Sequence, residues 1–125
     1  MRRAKEHIYQ DQNVFQSFFS NNSLPMILVD PETLRVVDAN TRAQVFLGVS
    51  SDRYRDTPFS SFSAIAPDLF DDAIRNFFEK GFSGLELPFK TTEGNLRDVE
   101  LHFTLNEIEC RSFLLYILVD VTERN

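Results

Sequence analysis

The side chains best suited to catalysis or metal binding are few and scattered along this chain. Its two histidines, His7 and His102, and its one cysteine, Cys110, are far apart, and none belongs to a cluster with metal-ligand or CxxC spacing. His7 falls in a helical stretch and His102 on the polar face of an alternating strand, positions that suit solvent or interface histidines. The carboxylates Asp30 and Glu32 lie in a turn, Asp71 and Asp72 early in a helix, and Asp98 and Glu100 on a wet strand face. Those places suit capping and surface charge better than proton transfer inside a cavity. No Ser/His/Asp arrangement, glycine-rich phosphate loop or nucleophile elbow occurs. The remaining chemistry is apolar binding. Phe46, Phe62, Phe70, Phe77, Phe89, Phe103 and Phe113 either line a ligand cavity or fill the interior themselves.

The composition bounds the rest. A chain of 125 residues holds one core, and 42% apolar residues suffice to build it. Thirteen phenylalanines and no tryptophan predict a core of benzyl rings. A net charge of −6 argues against nucleic acid, whose backbone attracts clustered Lys and Arg. No run approaches the length of a membrane span, and a lone cysteine fits a reducing, cytoplasmic setting.

The elements that would position these side chains follow from periodicity and punctuation. Residues 4–19 carry Ala4, Ile8, Phe15, Phe18 and Phe19 on one helical stripe, interrupted at Asp11 and Gln12. Asn21, Asn22 and Ser23 end it. Residues 1–20 therefore read as a flanking helix and residues 21–125 as the domain proper. Met26–Val29 is a short buried strand, Asp30–Thr33 a turn, and Leu34–Ala39 a second strand. Asn40 caps a helix that stops at Gly48. Residues 49–66 are irregular, anchored by Phe59, Phe62 and Ile65. Pro67 opens a helix with early aspartates, a late Lys80 and a stop at Gly81. Its buried stripe is Phe70, Ala73, Ile74 and Phe77, with Phe78 a further candidate.

Three strands follow. Leu85, Leu87 and Phe89 alternate with polar residues, and Pro88 puts that strand at a sheet edge. Thr92–Asn95 is a hairpin turn. Val99, Leu101, Phe103 and Leu105 alternate with Asp98, Glu100, His102 and Thr104. After a turn near Glu107–Cys110, Phe113–Val119 is apolar on both faces, as is Met26–Val29. Strands apolar on both faces belong at the centre of a sheet, side by side. One face packs on the short helices. The other is expected to meet the N-terminal helix and, where that falls short, a second subunit. That assigns Ile8, Phe15, Phe19, Leu114, Tyr116 and Leu118 to a dimer-forming outer face.

The last residues, Asp120-Val121-Thr122-Glu123-Arg124-Asn125, turn abruptly from apolar strand to charged, helix-starting sequence. Thr122 can cap a following helix, with Asp120 and Glu123 near its first turn. This reads as a junction to a further domain.

With these elements in this order, the chain resembles a PAS sensory domain over about residues 22–124. Three motifs carry the resemblance: Asp38-Ala39-Asn40 with Ala43 and Leu47-Gly48 after it, Glu93-Gly94-Asn95 in a hairpin turn, and Asp120-Val121-Thr122-Glu123-Arg124. The last matches the family's Asp-[Ile/Val]-Thr-Glu-Arg ending. The resemblance implies an α+β fold, a five-stranded antiparallel sheet with its first and last strands central and short helices on one face. It also implies a cytoplasmic, homodimeric signalling module of a bacterial protein whose effector, such as a diguanylate cyclase or histidine kinase, follows the junction. Asp120, Thr122, Glu123 and Arg124 would carry the output, with Asp120 fixing the strand end and Arg124 available to pair with it. The family's ligand pocket would place Asn40, Phe46, Phe62, Phe70, Phe77, Phe103 and Phe113 around a small apolar molecule. Haem is disfavoured because the Pro67 helix has no histidine. A photoactive flavin is disfavoured because no cysteine stands in the helix that should carry an Asn-Cys-Arg-Phe motif. No cofactor is expected. A small α+β enzyme with an apolar cavity and a ligand-free dimerisation module are the alternatives.

Overall fold

The computed structural model describes residues 16–49, 53–79, 84–91 and 93–124. Five strands form one antiparallel sheet: β1 (Met26–Val29), β2 (Val36–Ala39), β3 (Leu85–Lys90), β4 (Leu96–Ile108) and β5 (Arg111–Asp120). Their order is β2-β1-β5-β4-β3. The two strands that are apolar on both faces are thus central neighbours, and all four residues of β1 are buried. Helix α1 covers residues 16–21 of the described chain, so the expected helix over residues 4–19 lies mostly outside it, with Ile8 and Phe15. Helices α2 (Thr41–Leu47) and α3 (Pro67–Glu79), with a 3-10 turn at Phe59–Phe62, belong to the connection between β2 and β3.

Pro88 lies on the edge strand, and the geometry shows why it is tolerated. Its carbonyl accepts from the Ala64 amide at 2.9 Å, away from β4, so the missing N–H falls on the outer edge rather than in the ladder. The same edge is screened by a bridge between Ser63 and Phe89.

Strand β2 begins later than Leu34. Asp30 Oδ1 accepts from the amides of Glu32 and Thr33 at 2.8 and 3.1 Å, which extends the turn. Leu34 then takes a left-handed conformation at φ 58°, with its side chain buried, and pairing with β1 starts at Val36. At the other hairpin, β4 and β5 are joined by only Glu109 and Cys110, both with positive φ, as in a type I′ turn.

The sheet carries a core on each face. The larger one joins β-strand residues such as Val99, Leu101 and Phe103 to Ala43, Leu47, Phe59, Phe70 and Ile74 from the helical layer. The smaller one, on the opposite face, contains Phe19, Met26, Leu28, Phe113 and Leu115. This corrects the orientation expected for β5. Leu114, Tyr116 and Leu118 face the helical layer, whereas Phe113 faces the outer cluster with α1. Pairing enforces this: Leu101 stands opposite Leu118 and Phe103 opposite Tyr116, and residues directly opposite share a face.

Candidate functional site

The interior between sheet and helices is built from rings. Phe59, delivered by the 3-10 turn, is the hub. Its ring centroid lies 5.5 Å from Phe70, 5.7 Å from Phe89, 4.7 Å from Tyr116 and 6.4 Å from Phe62. A second series runs outward from Tyr116 to Phe103 at 5.6 Å and from Phe103 to Phe77 at 6.1 Å. The tilted and edge-on geometries are those aromatic pairs prefer. Of the expected pocket residues, Phe62, Phe70, Phe77 and Phe103 meet here, and Phe46 packs at the margin. Phe113 does not join them. Phe59 and Tyr116 are the interior's central rings, yet the pocket expected from sequence omits both.

Asn40 is buried, but its amide is fully engaged. Oδ1 accepts from the Ala43 amide at 2.9 Å, capping α2, and from the Met26 amide at 3.0 Å, at the start of β1. Nδ2 donates to the carbonyls of Phe19 and Leu24 at 2.9 and 3.0 Å. It stitches α1, β1 and α2 together and has no capacity left for a ligand, which corrects its expected role. The neighbouring Asp38 is also structural. Its Oδ1 accepts from the Ala39 amide at 2.9 Å and from the Tyr54 hydroxyl at 3.0 Å. Burial first, and then Asp38, raise the Tyr54 pKa above the ordinary phenol value.

No described histidine faces the interior. His102 lies on the polar side of β4, with Nε2 2.7 Å from Glu100 Oε1. Cys110 is exposed at the β4–β5 turn.

At the carboxy-terminal end, three residues tie the chain back to β4. The Val121 amide donates to the Asp98 carbonyl at 2.8 Å, and Thr122 Oγ1 accepts from the Asp98 amide at 2.9 Å. Asp120 Oδ1 accepts from the Thr122 amide at 3.0 Å and from the Thr122 hydroxyl, while Oδ2 lies 3.7 Å from Arg97 Nη1. Asp120 thus closes a turn onto Thr122, the first residue of the 3-10 turn Thr122–Arg124, and Thr122 bonds back to β4. The Arg124 side chain lies outside the described residues; Arg97, which the sequence reading missed, supplies the nearby positive charge. Beside this clamp runs a groove of about 400 Å³ whose lining includes Leu24, Pro25, Arg42, Val45, Phe46 and Asp120.

This architecture is shared with solved structures. The PAS domain of an HTR-like protein from Haloarcula marismortui matches with a TM-score of 0.70 at 17% identity, over 96% of this chain and 99% of that one. A PAS domain from a two-component sensor histidine kinase gives a TM-score of 0.74 at 11% identity, over 90% and 97%. A Rhodobacter sphaeroides LOV protein gives 0.72 at 14% identity, over 90% and 68%. No curated protein matches the chain in sequence. Residues 13–82 match the PAS domain family. The chain therefore belongs to the PAS domain family, whose members are sensory modules of histidine kinases and similar signalling proteins.

Proposed function

We propose that this domain is a non-catalytic regulatory module that converts a change in its interior or outer face into movement of Asp120–Arg124, and so of an effector attached there. The observation that carries this reading is the clamp of Val121 and Thr122 on Asp98. Asp98 precedes Val99, Leu101 and Phe103, whose side chains form part of the inner core. Tyr116 and Leu118, on the strand that ends at Asp120, belong to the same core. Repacking among the rings therefore bears on both strands the clamp joins.

In this reading residues 1–20 flank the domain and residues 21–125 form it. The protein works in the cytoplasm as a homodimer through α1 and the outer face of β1 and β5, where Phe19, Leu28, Phe113 and Leu115 cluster and Phe18 is half exposed. Its effector is of the diguanylate cyclase or histidine kinase type. The signal is a small, mostly apolar molecule. The close ring packing also favours a second reading, in which the domain only dimerises and binds nothing.

The test is made in the full-length protein. Phe77→Ala loosens the outer end of the ring series, and Thr122→Val removes the clamp's acceptor. Both variants are expected to fold and to change effector activity. Folded variants with unaltered activity would overturn the transmission reading.

A further inference from the structure

Two adjoining grooves lie where β5 runs into the carboxy-terminal turn, beside the ring-filled interior rather than within it. The apolar one, of about 400 Å³, has Leu24, Pro25, Phe46 and Leu118 in its wall. The other, of about 220 Å³, is polar, lined by Thr91, Glu93 and Asn95 of the β3–β4 hairpin and by Arg97 and Asp120. Val45, Phe46 and Asp120 line both, so one guest can extend from one into the other. The polar groove holds two carboxylates against one guanidinium. Arg97 already lies 3.7 Å from Asp120 Oδ2, whereas Glu93 forms no ion pair with a described residue, so the excess charge is negative. Thr91 Oγ1 is buried with no hydrogen-bond partner, the only side-chain oxygen or nitrogen in that state among the described residues. Such a hydroxyl is unfavourable, and valine would fill the same space without that cost. The hairpin does not need these side chains to close. Its backbone does so alone, the Thr91 amide donating to the Asn95 carbonyl at 3.0 Å and the Gly94 amide to the Thr91 carbonyl at 2.9 Å.

We propose that the two grooves form one binding site for a small amphiphilic amine, its ammonium group in the polar groove and its apolar body against Phe46 and Leu118. An ammonium group carries several N–H donors and no acceptor. The Glu93 carboxylate, Asn95 Oδ1 and Thr91 Oγ1 accept from it, Thr91 turning its hydroxyl outward by a change of rotamer. An anionic head would instead meet Glu93 and Asp120, and the one cation there is already shared with Asp120. Arg42, on the apolar groove, repels an ammonium from that side and so orients the guest. The chain's net charge of −6 adds a longer-range attraction for cations. Because the site is separate from the interior, it does not require a ligand there, and its failure would leave the transmission reading untouched.

The test is calorimetric titration of the intact chain with phenethylamine and with phenethyl alcohol, which share the apolar body and differ in the charge of the head. The amine is expected to bind about fivefold more tightly, the upper end for an exposed ion pair, and to lose that margin in Glu93→Gln while the alcohol is unaffected. Added salt should shrink the same margin. Thr91→Val is expected to weaken the amine by a similar factor yet to raise the urea midpoint of the free chain, because it removes an unpaired buried hydroxyl. Circular dichroism checks that both variants fold. No binding of the amine, equal affinities for amine and alcohol, or an amine affinity indifferent to Glu93→Gln would overturn the site. A Thr91→Val chain that is less stable than wild type and binds the amine unchanged would overturn the part given to Thr91.

Discussion

Replacing Asn40 by alanine tests whether this residue holds the fold or serves a ligand. The alanine variant loses the cap of α2, worth about 1 kcal/mol. It also leaves the buried Met26 amide without its acceptor, at about 1–3 kcal/mol. The Phe19 and Leu24 carbonyls lose their donor, adding about 0.5–1.5 kcal/mol for each bond. These losses share one side chain and do not simply add, so roughly 3–5 kcal/mol is expected, against a total of about 5–15 kcal/mol for a domain. Urea unfolding followed by circular dichroism should show a midpoint lower by about 2 M with little change in slope. Asn40→Asp sharpens the test. It keeps the acceptor for Met26 and Ala43 but turns a second carboxylate oxygen toward the two carbonyls, so it should also destabilise, with the cap retained. If Asn40→Ala costs no more than an isolated cap, about 1 kcal/mol, the stitching argument is wrong.

Three further outcomes are expected. Thr122→Val should speed amide exchange at Asp98 by about 5- to 30-fold, the loss of one well-placed acceptor, while global stability barely moves; unchanged exchange there would contradict the clamp. Asp30 and Asp71 should respond to pH in opposite ways. The Thr33 and Glu32 amides, aided by Arg111, hold the Asp30 pKa below 3.8, so its stabilisation is present above that value and lost as pH falls through the lowered folded pKa. Burial raises the Asp71 pKa, so its ionisation opposes folding as pH rises above 3.8. Asp30→Asn should therefore flatten the acid side of the stability profile, and Asp71→Asn should raise the neutral-pH urea midpoint; the reverse ordering would refute both assignments. Finally, Phe18→Glu should convert a dimer to a monomer in sedimentation equilibrium without lowering the melting temperature, and a wild-type chain that is monomeric at every concentration would refute the proposed interface.

Much of this domain was determined by local chemistry alone. Asn40 and Gly48 mark the ends of α2, Pro67 opens α3, and Pro88 restricts β3 to an edge, because each depends on a side chain or backbone preference that acts within a few residues. The central place of β1 and β5 also followed, since a strand apolar on both faces has to be covered on both. Which face of β5 turns inward was a tertiary decision. An unbroken apolar run such as Phe113–Val119 carries no alternation, and a one-residue shift exchanges its two faces. The register is set by the two-residue turn Glu109-Cys110, whose positive φ values lack the Gly or Asn that would announce them. Pairing Ile108 with Arg111 aligns Phe103 with Tyr116 and Leu101 with Leu118, which brings Tyr116 into the core and turns Phe113 toward α1. The carboxy-terminal clamp depends on the same kind of long-range fact. Asp120 and Thr122 stand out in the sequence where the apolar strand gives way to charged residues, but Arg97 and Asp98 become their partners only because β4 lies beside β5, and no local pattern records that neighbour.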